Sequence, residues 1–190
     1  MTTTESDVVA EGEHVRLRRK RVSDAATDFA WRRDSELARY DAARPTMLTY
    51  EDFVSTYKDE LLRPQPFRRT LAIDDLDGVH IGNAMYYNID LRRREAEIGI
   101  TIGNSAYWGR GCGTEAITLL VDHVFTQASI TRLYLHTLDW NVRAQRAFAR
   151  AGFRDCGRTR RGEHRFHVME IRREWLWERD YSRRAIPRGD

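Results

Sequence analysis

Cysteine is scarce in this chain: of 190 residues only Cys112 and Cys156 are cysteines, too few and too far apart for a disulfide framework. Lysine is equally rare, with Lys20 and Lys58 alone, so nearly all of the 32 positive side chains are Arg, set against 29 Asp and Glu. The pI near 9.0 thus reflects a leaning toward Arg in the composition. No long basic stripe with interleaved aromatics is present, and nucleic acid is not an expected partner. No apolar run approaches the roughly 18 residues of a membrane span, and the mean hydropathy of −0.66 agrees, so no membrane partner is expected. The opening Met1-Thr-Thr-Thr-Glu-Ser-Asp7 has no apolar signal-peptide core, which makes a cytoplasmic location the expectation. The six histidines (14, 80, 123, 136, 164 and 167) include no pair at ligand spacing on a predicted helix, so no metal site is expected. Neither G-x-x-x-x-G-K-[ST] nor G-x-G-x-x-G occurs, which leaves the P-loop and Rossmann readings without support.

What is present divides into a disordered lead at 1–12, one mixed α/β domain at 13–178 and a basic tail at 179–190. Residues 14–18 alternate as a first strand. Ser23-Asp24 opens a helical region to about residue 41, with Ala26, Phe29, Ala30 and Trp31 on one side. Thr49 caps a second helix, bearing Phe53, Tyr57, Leu61 and Leu62, that Pro64 and Pro66 end. Asp77-Gly78 turns a hairpin of residues 68–75 and 79–90. A strand at 95–102, a helix from Gly113 to about Gln127 and a strand at 132–137 follow. Next come a short helix at 141–151 with Gly152 as its C-cap and two strands near 154–160 and 164–172.

The most informative stretch is 107–114, Tyr-Trp-Gly-Arg-Gly-Cys-Gly-Thr, set between a strand and a helix. Gly109, Gly111 and Gly113 permit positive φ and a close approach of ligand to backbone. The free N–H groups of the helix start and the positive end of its dipole call for an anion, and Arg110 adds a fixed charge.

Three pieces, "AEIGITIG", "YWGRGCGTEA" and "NVRAQRAFARAGF", resemble the GNAT superfamily of acetyl-CoA-dependent N-acetyltransferases. The opening "VRLRRKRVSDAATDFAWRRD" and the closing "GEHRFHVMEIRREW" are similar to its ribosomal-protein and spermidine N-acetyltransferase subgroup, so the likeness spans about 14–177. The resemblance implies a single α/β (α+β) domain: a twisted mixed β-sheet with splayed central strands, flanked by helices. Acetyl-CoA would enter between strands 95–102 and 132–137. The backbone of Ile100, Thr101 and Ile102 would pair with its pantetheine arm, and its pyrophosphate would rest on Trp108, Gly109, Arg110, Gly111, Cys112, Gly113 and Thr114. Trp108 stands where the family usually has Gln or Arg, and Cys112 where relatives carry a bulky or apolar filler. Asn141 matches an asparagine that reaches the cofactor and is also a natural N-cap, while Ala144 keeps the next turn thin. Phe148 replaces the tyrosine that in many members protonates the departing thiolate. Either the thiolate leaves unaided, or another group or water supplies the proton, or activity is lost. His167 stands close to a position where relatives often have Asp.

Acetyl transfer to an amine needs a base. Glu97, on one strand face with Glu95, Gly99 and Thr101, is the expected catalytic residue; a solvated carboxylate opposing Arg92–Arg94 is the alternative. The expected activity is direct attack of a primary amine, from a small molecule or a peptide N-terminus, on acetyl-CoA in a ternary complex. The alternative is a catalytically silent acyl-CoA-binding regulatory module, which Phe148 keeps open. The two N-terminal helical regions would wall the acceptor pocket, and their balanced charges leave the acceptor undefined. Trp175 and Trp177 suggest a homodimer or, alternatively, packing onto their own sheet.

Overall fold

Short alternating segments bounded by turn residues pair into a mixed sheet, described here for residues 7–176 of a computed structural model. Trp177, the basic tail and residues 1–6 lie outside the described residues. The elements are β1 (Val8–Glu11), β2 (Val15–Arg19), α1 (Ala25–Arg33), α2 (Ser35–Tyr40), α3 (Tyr50–Leu62), β3 (Arg68–Asp75), β4 (His80–Asp90), β5 (Glu95–Ile102), α4 (Cys112–Gln127), β6 (Arg132–Leu138), α5 (Val142–Ala151), β7 (Arg154–Arg161) and β8 (His164–Arg172). The eight strands run in the order β1-β2-β3-β4-β5-β6-β8-β7. Every neighbouring pair is antiparallel except β5–β6.

That one parallel pair needs a crossover, which α4 supplies. Ala116, Ile117, Leu120, Val121 and Val124 lie on one side of α4 and are buried in the same core as Ile98, Leu133 and Ile171. α5 packs beside α4, with Phe148 and Ala151 inward. Its ends are fixed locally. Asn141 Oδ1 accepts from Ala144 N at 3.2 Å, and Gly152 at φ +105° closes the helix as expected. The opposite sheet face carries α1–α3, where Tyr57 of α3 and Asn83 of β4 both bond Asp28 of α1.

Four expectations are corrected by these contacts. Val8–Glu11, inside the supposed disordered lead, is a strand on the edge of β2, because Val9 and Ala10 find the core and Arg19 N donates to Asp7 O at 2.8 Å. The helical region 24–41 is broken at Asp34, which takes ψ 120° and caps a new helix by accepting from Glu36 N and Leu37 N. Asp24 does not cap α1 with its side chain; it is drawn into an ion pair with Arg18. The inward residues of α1 are Ala25 and Asp28, while Ala26 and Ala30 face solvent.

The ionic floor under α1 ties that helix to β2, β3, β4 and α3. Arg18, only 3 % exposed, bonds Asp74 through Nε at 2.6 Å and Asp24 through Nη1 at 2.8 Å. Beside it, Asp28 receives Lys20 at 2.6 Å, Asn83 at 2.8 Å, Tyr57 at 3.0 Å and His80 at 3.1 Å. Burial by itself would raise the Asp28 carboxyl; the bonds from His80, Lys20 and Asn83 and the Lys20 charge outweigh it and hold it well below the usual carboxylate range. Removing one member of such a network strands a charge. Arg18→Met is expected to cost about 3–5 kcal/mol, read as a lowered urea midpoint. A depressed carboxyl stabilises the fold above its unfolded pKa of about 3.9, and this is lost as pH falls through the lower folded value. Stability should therefore persist at pH 4 and fall below it, and Asp28→Asn should flatten that acid limb; an unchanged limb would sink this account.

Candidate active site

Glu97 sits at the last rung where β5 and β6 still pair. The register runs Glu95↔Arg132, Ala96↔Leu133 and Glu97↔Tyr134, and stops. Beyond it β5 continues to Ile102 on β4, and β6 continues to Leu138 on β8. Ile100, Thr101 and Ile102 thus lie on the diverging arm of β5, facing a gap where a strand would otherwise be. The closed end of the split is clamped by Arg132, bound to Glu95 at 2.7 Å and Glu170 at 2.6 Å.

Glu97 is 4 % exposed, which rules out a solvated carboxylate paired with Arg92–Arg94. His136 Nδ1 on β6 donates to Oε1 at 2.7 Å, reaching over the start of the split. Asn88 Nδ2 donates to Oε2 at 3.0 Å. Asn88 stands at a β-bulge in β4, between the Tyr87↔Glu97 and Asp90↔Glu95 pairs, with φ 51°. Asn tolerates this left-handed conformation better than most residues, and bulges of this kind re-aim side chains beside active sites. Tyr87 on the same rung is held protonated, first by burial and then by the Glu97 carboxylate. Tyr134 is raised for the same two reasons in the same order. Arg161 Nη2 reaches His136 Nε2 at 3.0 Å.

At the open end stands the glycine turn. Gly109 has φ +76° and Gly111, the N-cap of α4, has φ +88°, and open space surrounds both. Gly113 departs from expectation: it lies inside the first turn of α4 and has no positive φ. A Cβ there would meet only Ile102 Cγ1, at 3.6 Å. Thr114 follows in the same turn. Arg110 is exposed, its guanidinium 5.8 Å from the Tyr107 ring. Cys112 is buried and free, and burial pushes its thiol up, which suits a filler and not a nucleophile.

Trp108 behaves differently from a passive member of the cradle. Its indole Nε1 donates to Ile102 O at 2.8 Å, so the carbonyl expected to pair with pantetheine is taken. Arg143 of α5 lies 3.7 Å from the Trp108 ring centre, and Tyr40 of α2 meets Trp108 and Trp140. These contacts bring the glycine turn and the start of α5 together at the mouth of the split. Asn141 spends its oxygen on its own helix, Ala144 is half-buried, and Phe148 is packed against Phe153 in the core, centroids 5.6 Å apart. Trp175 packs onto the core of its own domain beneath Arg154. His167 bonds Asp155 at 3.0 Å in the β7–β8 hairpin.

A cavity of about 900 Å³ opens between α1–α3 and strands β3–β5. Thr101, Met85 and Asn83 belong to its sheet wall, and Trp31, Phe53 and Tyr57 to its helical wall. Trp31 is seated against Gly103, where a Cβ would fall 2.1 Å from the ring, so this glycine admits α1 to the end of β5. Glu97 itself does not line the cavity. His136 and Asn88 were not among the residues singled out from sequence. Period-two alternation puts His136 on one face of β6, but only the β5–β6 register puts it beside Glu97.

The GNAT acetyltransferase domain matches residues 14–154. Over 123 residues the chain is 28 % identical to an uncharacterized N-acetyltransferase, p20, of Bacillus licheniformis, covering 64 % of this chain and 68 % of that protein. Over 168 residues it is 26 % identical to an aminoglycoside N(6')-acetyltransferase of Klebsiella pneumoniae, covering 82 % of this chain and 81 % of that one. Its fold is shared with spermidine N-acetyltransferase of Vibrio cholerae, solved with CoA and spermine, at TM-score 0.75 and 20 % identity over 84 % of this chain and 96 % of that one. An aminoglycoside acetyltransferase solved with coenzyme A gives TM-score 0.73 and 24 % identity, over 88 % and 99 % of the two chains. With the domain match over most of its length and the split, turn and crossover helix in place, the chain belongs to the GNAT acetyltransferase family and is an acetyl-CoA-dependent N-acetyltransferase.

Proposed function

We propose that the protein acetylates a primary amine that enters from the α1–α3 side while acetyl-CoA lies in the β5–β6 split. The observation carrying this is the end of pairing at Glu97–Tyr134, with a glycine turn and a helix N-terminus at the open end. The residues fit the substrate. Gly109, Gly111 and the first-turn amides of α4 offer an anion cradle, and the free edge of β5 at Ile100 and Thr101 offers backbone groups to an extended arm. At Ile102 the carbonyl already accepts from the Trp108 indole, so an N–H of the arm would have to share that oxygen or displace the ring.

In the reaction the amine nitrogen bonds to the acetyl carbonyl carbon and the carbon–sulfur bond breaks. Coenzyme A leaves as thiolate and takes a proton, and the amine loses one. Glu97 accepts the amine's proton, directly or through one water, while His136 and Asn88 fix both carboxylate oxygens in place. Phe148 has no proton to give. Tyr87 and Tyr134 are the protonated phenols on the Glu97 rung, and a thiol pKa of about 8.5 makes the thiolate a tolerable leaving group without either. A silent acyl-CoA-binding module, the alternative on account of Phe148, predicts CoA binding without thiol release.

Thiol release in the presence of amines tests the assignment. Glu97→Gln should lower kcat by roughly 10²–10⁴-fold with CoA affinity unchanged. His136→Ala should lower kcat and His136→Asn restore much of it, because an amide N–H can replace Nδ1–H; equal loss in both would remove His136 from the positioning role. Gly113→Ala separates the cradle from the fold. It should stabilise α4 by up to about 1 kcal/mol while weakening CoA binding in calorimetry. Full CoA affinity in that variant would place the pyrophosphate elsewhere.

A further inference from the structure

The charges around the α1–α3 cavity do not follow the balance of the whole chain. Over all residues 32 Lys and Arg meet 29 Asp and Glu. In the cavity wall six cationic side chains meet three carboxylates. The deepest carboxylate, Asp28, is saturated by Lys20, Asn83, Tyr57 and His80 and has nothing to offer an incoming ammonium group. The other two, Asp41 and Glu60, stand nearer the rim; burial of its carboxyl pushes Asp41 up, against a smaller opposing pull from Arg32.

Arg32, Arg44, Arg68 and Arg69 are exposed at the same rim, and among the described residues none of them has a carboxylate within ion-pair distance. Arg69 bonds only backbone carbonyls, at Gln65, Pro66 and Arg68, and Arg68 reaches only Met85 Sδ, at 3.8 Å. Between rim and floor the wall is apolar, with Trp31, Leu37, Phe53 and Leu61. A polycationic amine would bring several charges to an opening that already carries surplus positive charge. An amine with an apolar middle and an anionic far end matches both parts of the wall.

We infer that the acceptor is a primary amine whose far end carries a carboxylate or a phosphate, held at the cavity mouth by Arg32, Arg44, Arg68 and Arg69. This rests on the reading of the cavity as the acceptor pocket of the acetyl transfer proposed above. It sets the substrate class apart from the polyamine and aminoglycoside acceptors named for the similar proteins, since the deepest carboxylate of this cavity, Asp28, is already fully bonded and the burial-raised carboxyl of Asp41 is a poor partner for an ammonium group.

Three probes with one amine and one methylene chain isolate the far end: aminohexanoate, aminohexyl phosphate and hexanediamine. Each is titrated by calorimetry into the full chain saturated with CoA, so the result does not depend on turnover. Both anionic probes should bind about tenfold or more tightly than the diamine at low salt, with the gap narrowing near 0.5 M salt as rim charges are screened. Whichever anionic probe leads identifies the group. The double variant Arg44→Glu/Arg68→Glu, at two exposed positions, should reverse the order while leaving CoA affinity and the circular dichroism spectrum unchanged. Tighter or equal binding of the diamine, no binding of any probe, or an unreversed order in the double variant would overturn the inference. Failure of CoA itself to bind would instead overturn the acetyl-transfer reading on which it rests.

Discussion

The site depends on the fact that two parallel strands pair for three residues and then separate. Parallel neighbours in an open sheet normally stay together, because each unpaired backbone group left behind in a dry place costs free energy. Here the separation starts at Glu97, whose carboxylate is bonded from both sides by Asn88 and His136. A buried carboxylate with its partners needs room and polar company, and the rung after it has neither strand in register. Beyond that rung the facing edge of β5 has no strand beside it, and on the proposed reading this is where the substrate's extended arm would lie. Arg132 holds the other end shut through Glu95 and Glu170, which keeps the gap a wedge open at one end only.

From this wedge the surrounding elements follow. The crossover between β5 and β6 must pass over one face, and α4 does so with its apolar side buried against the sheet. Its N-terminus therefore begins at the open end of the wedge. Gly111 at φ +88° is the residue that lets the chain turn from β5 into that helix. One constraint thus sets the gap, the helix N-terminus and the glycine turn side by side.

Much of this was legible in the sequence. The hairpin at Asp77-Gly78, the strand 95–102, the Thr49 and Asn141 caps and the Gly152 stop all stand where their local chemistry put them. The GNAT likeness carried the rest of the architecture. What stayed hidden was of two kinds. Asp28 faces inward where apolar spacing pointed to Ala26 and Ala30, because a helix face judged by hydrophobicity overlooks a carboxylate whose burial is compensated by Lys20, just after β2, and His80 of β4. His136 and Asn88 became visible only through register: a bulge in β4 and three rungs of β5–β6 pairing bring them to Glu97 from 9 and 39 positions away along the chain. Trp108 shows the converse. Its position beside Gly109 is plain from the sequence, while its bond to the Ile102 carbonyl depends on a side-chain direction that no spacing encodes.

The two ends of the proposed substrate path differ in how firmly they are built. At Glu97 both carboxylate oxygens are matched by a short contact from a strand, and strands of one sheet hold each other to fractions of an ångström, which is what the proposed proton transfer demands. Around the cavity mouth the arginines sit on the exposed surface of α1, on the connection after α2 and at the start of β3, with no ion pair to hold them among the described residues. Long arginine side chains on such a surface adapt to an anion instead of prescribing one geometry. On the proposed reading, chemistry is fixed at the split and recognition is left pliable at the rim, the division expected where one reaction is to serve a class of amines: a substitution at the rim would alter which amine enters and leave the carboxylate, the bulge and the wedge as they are.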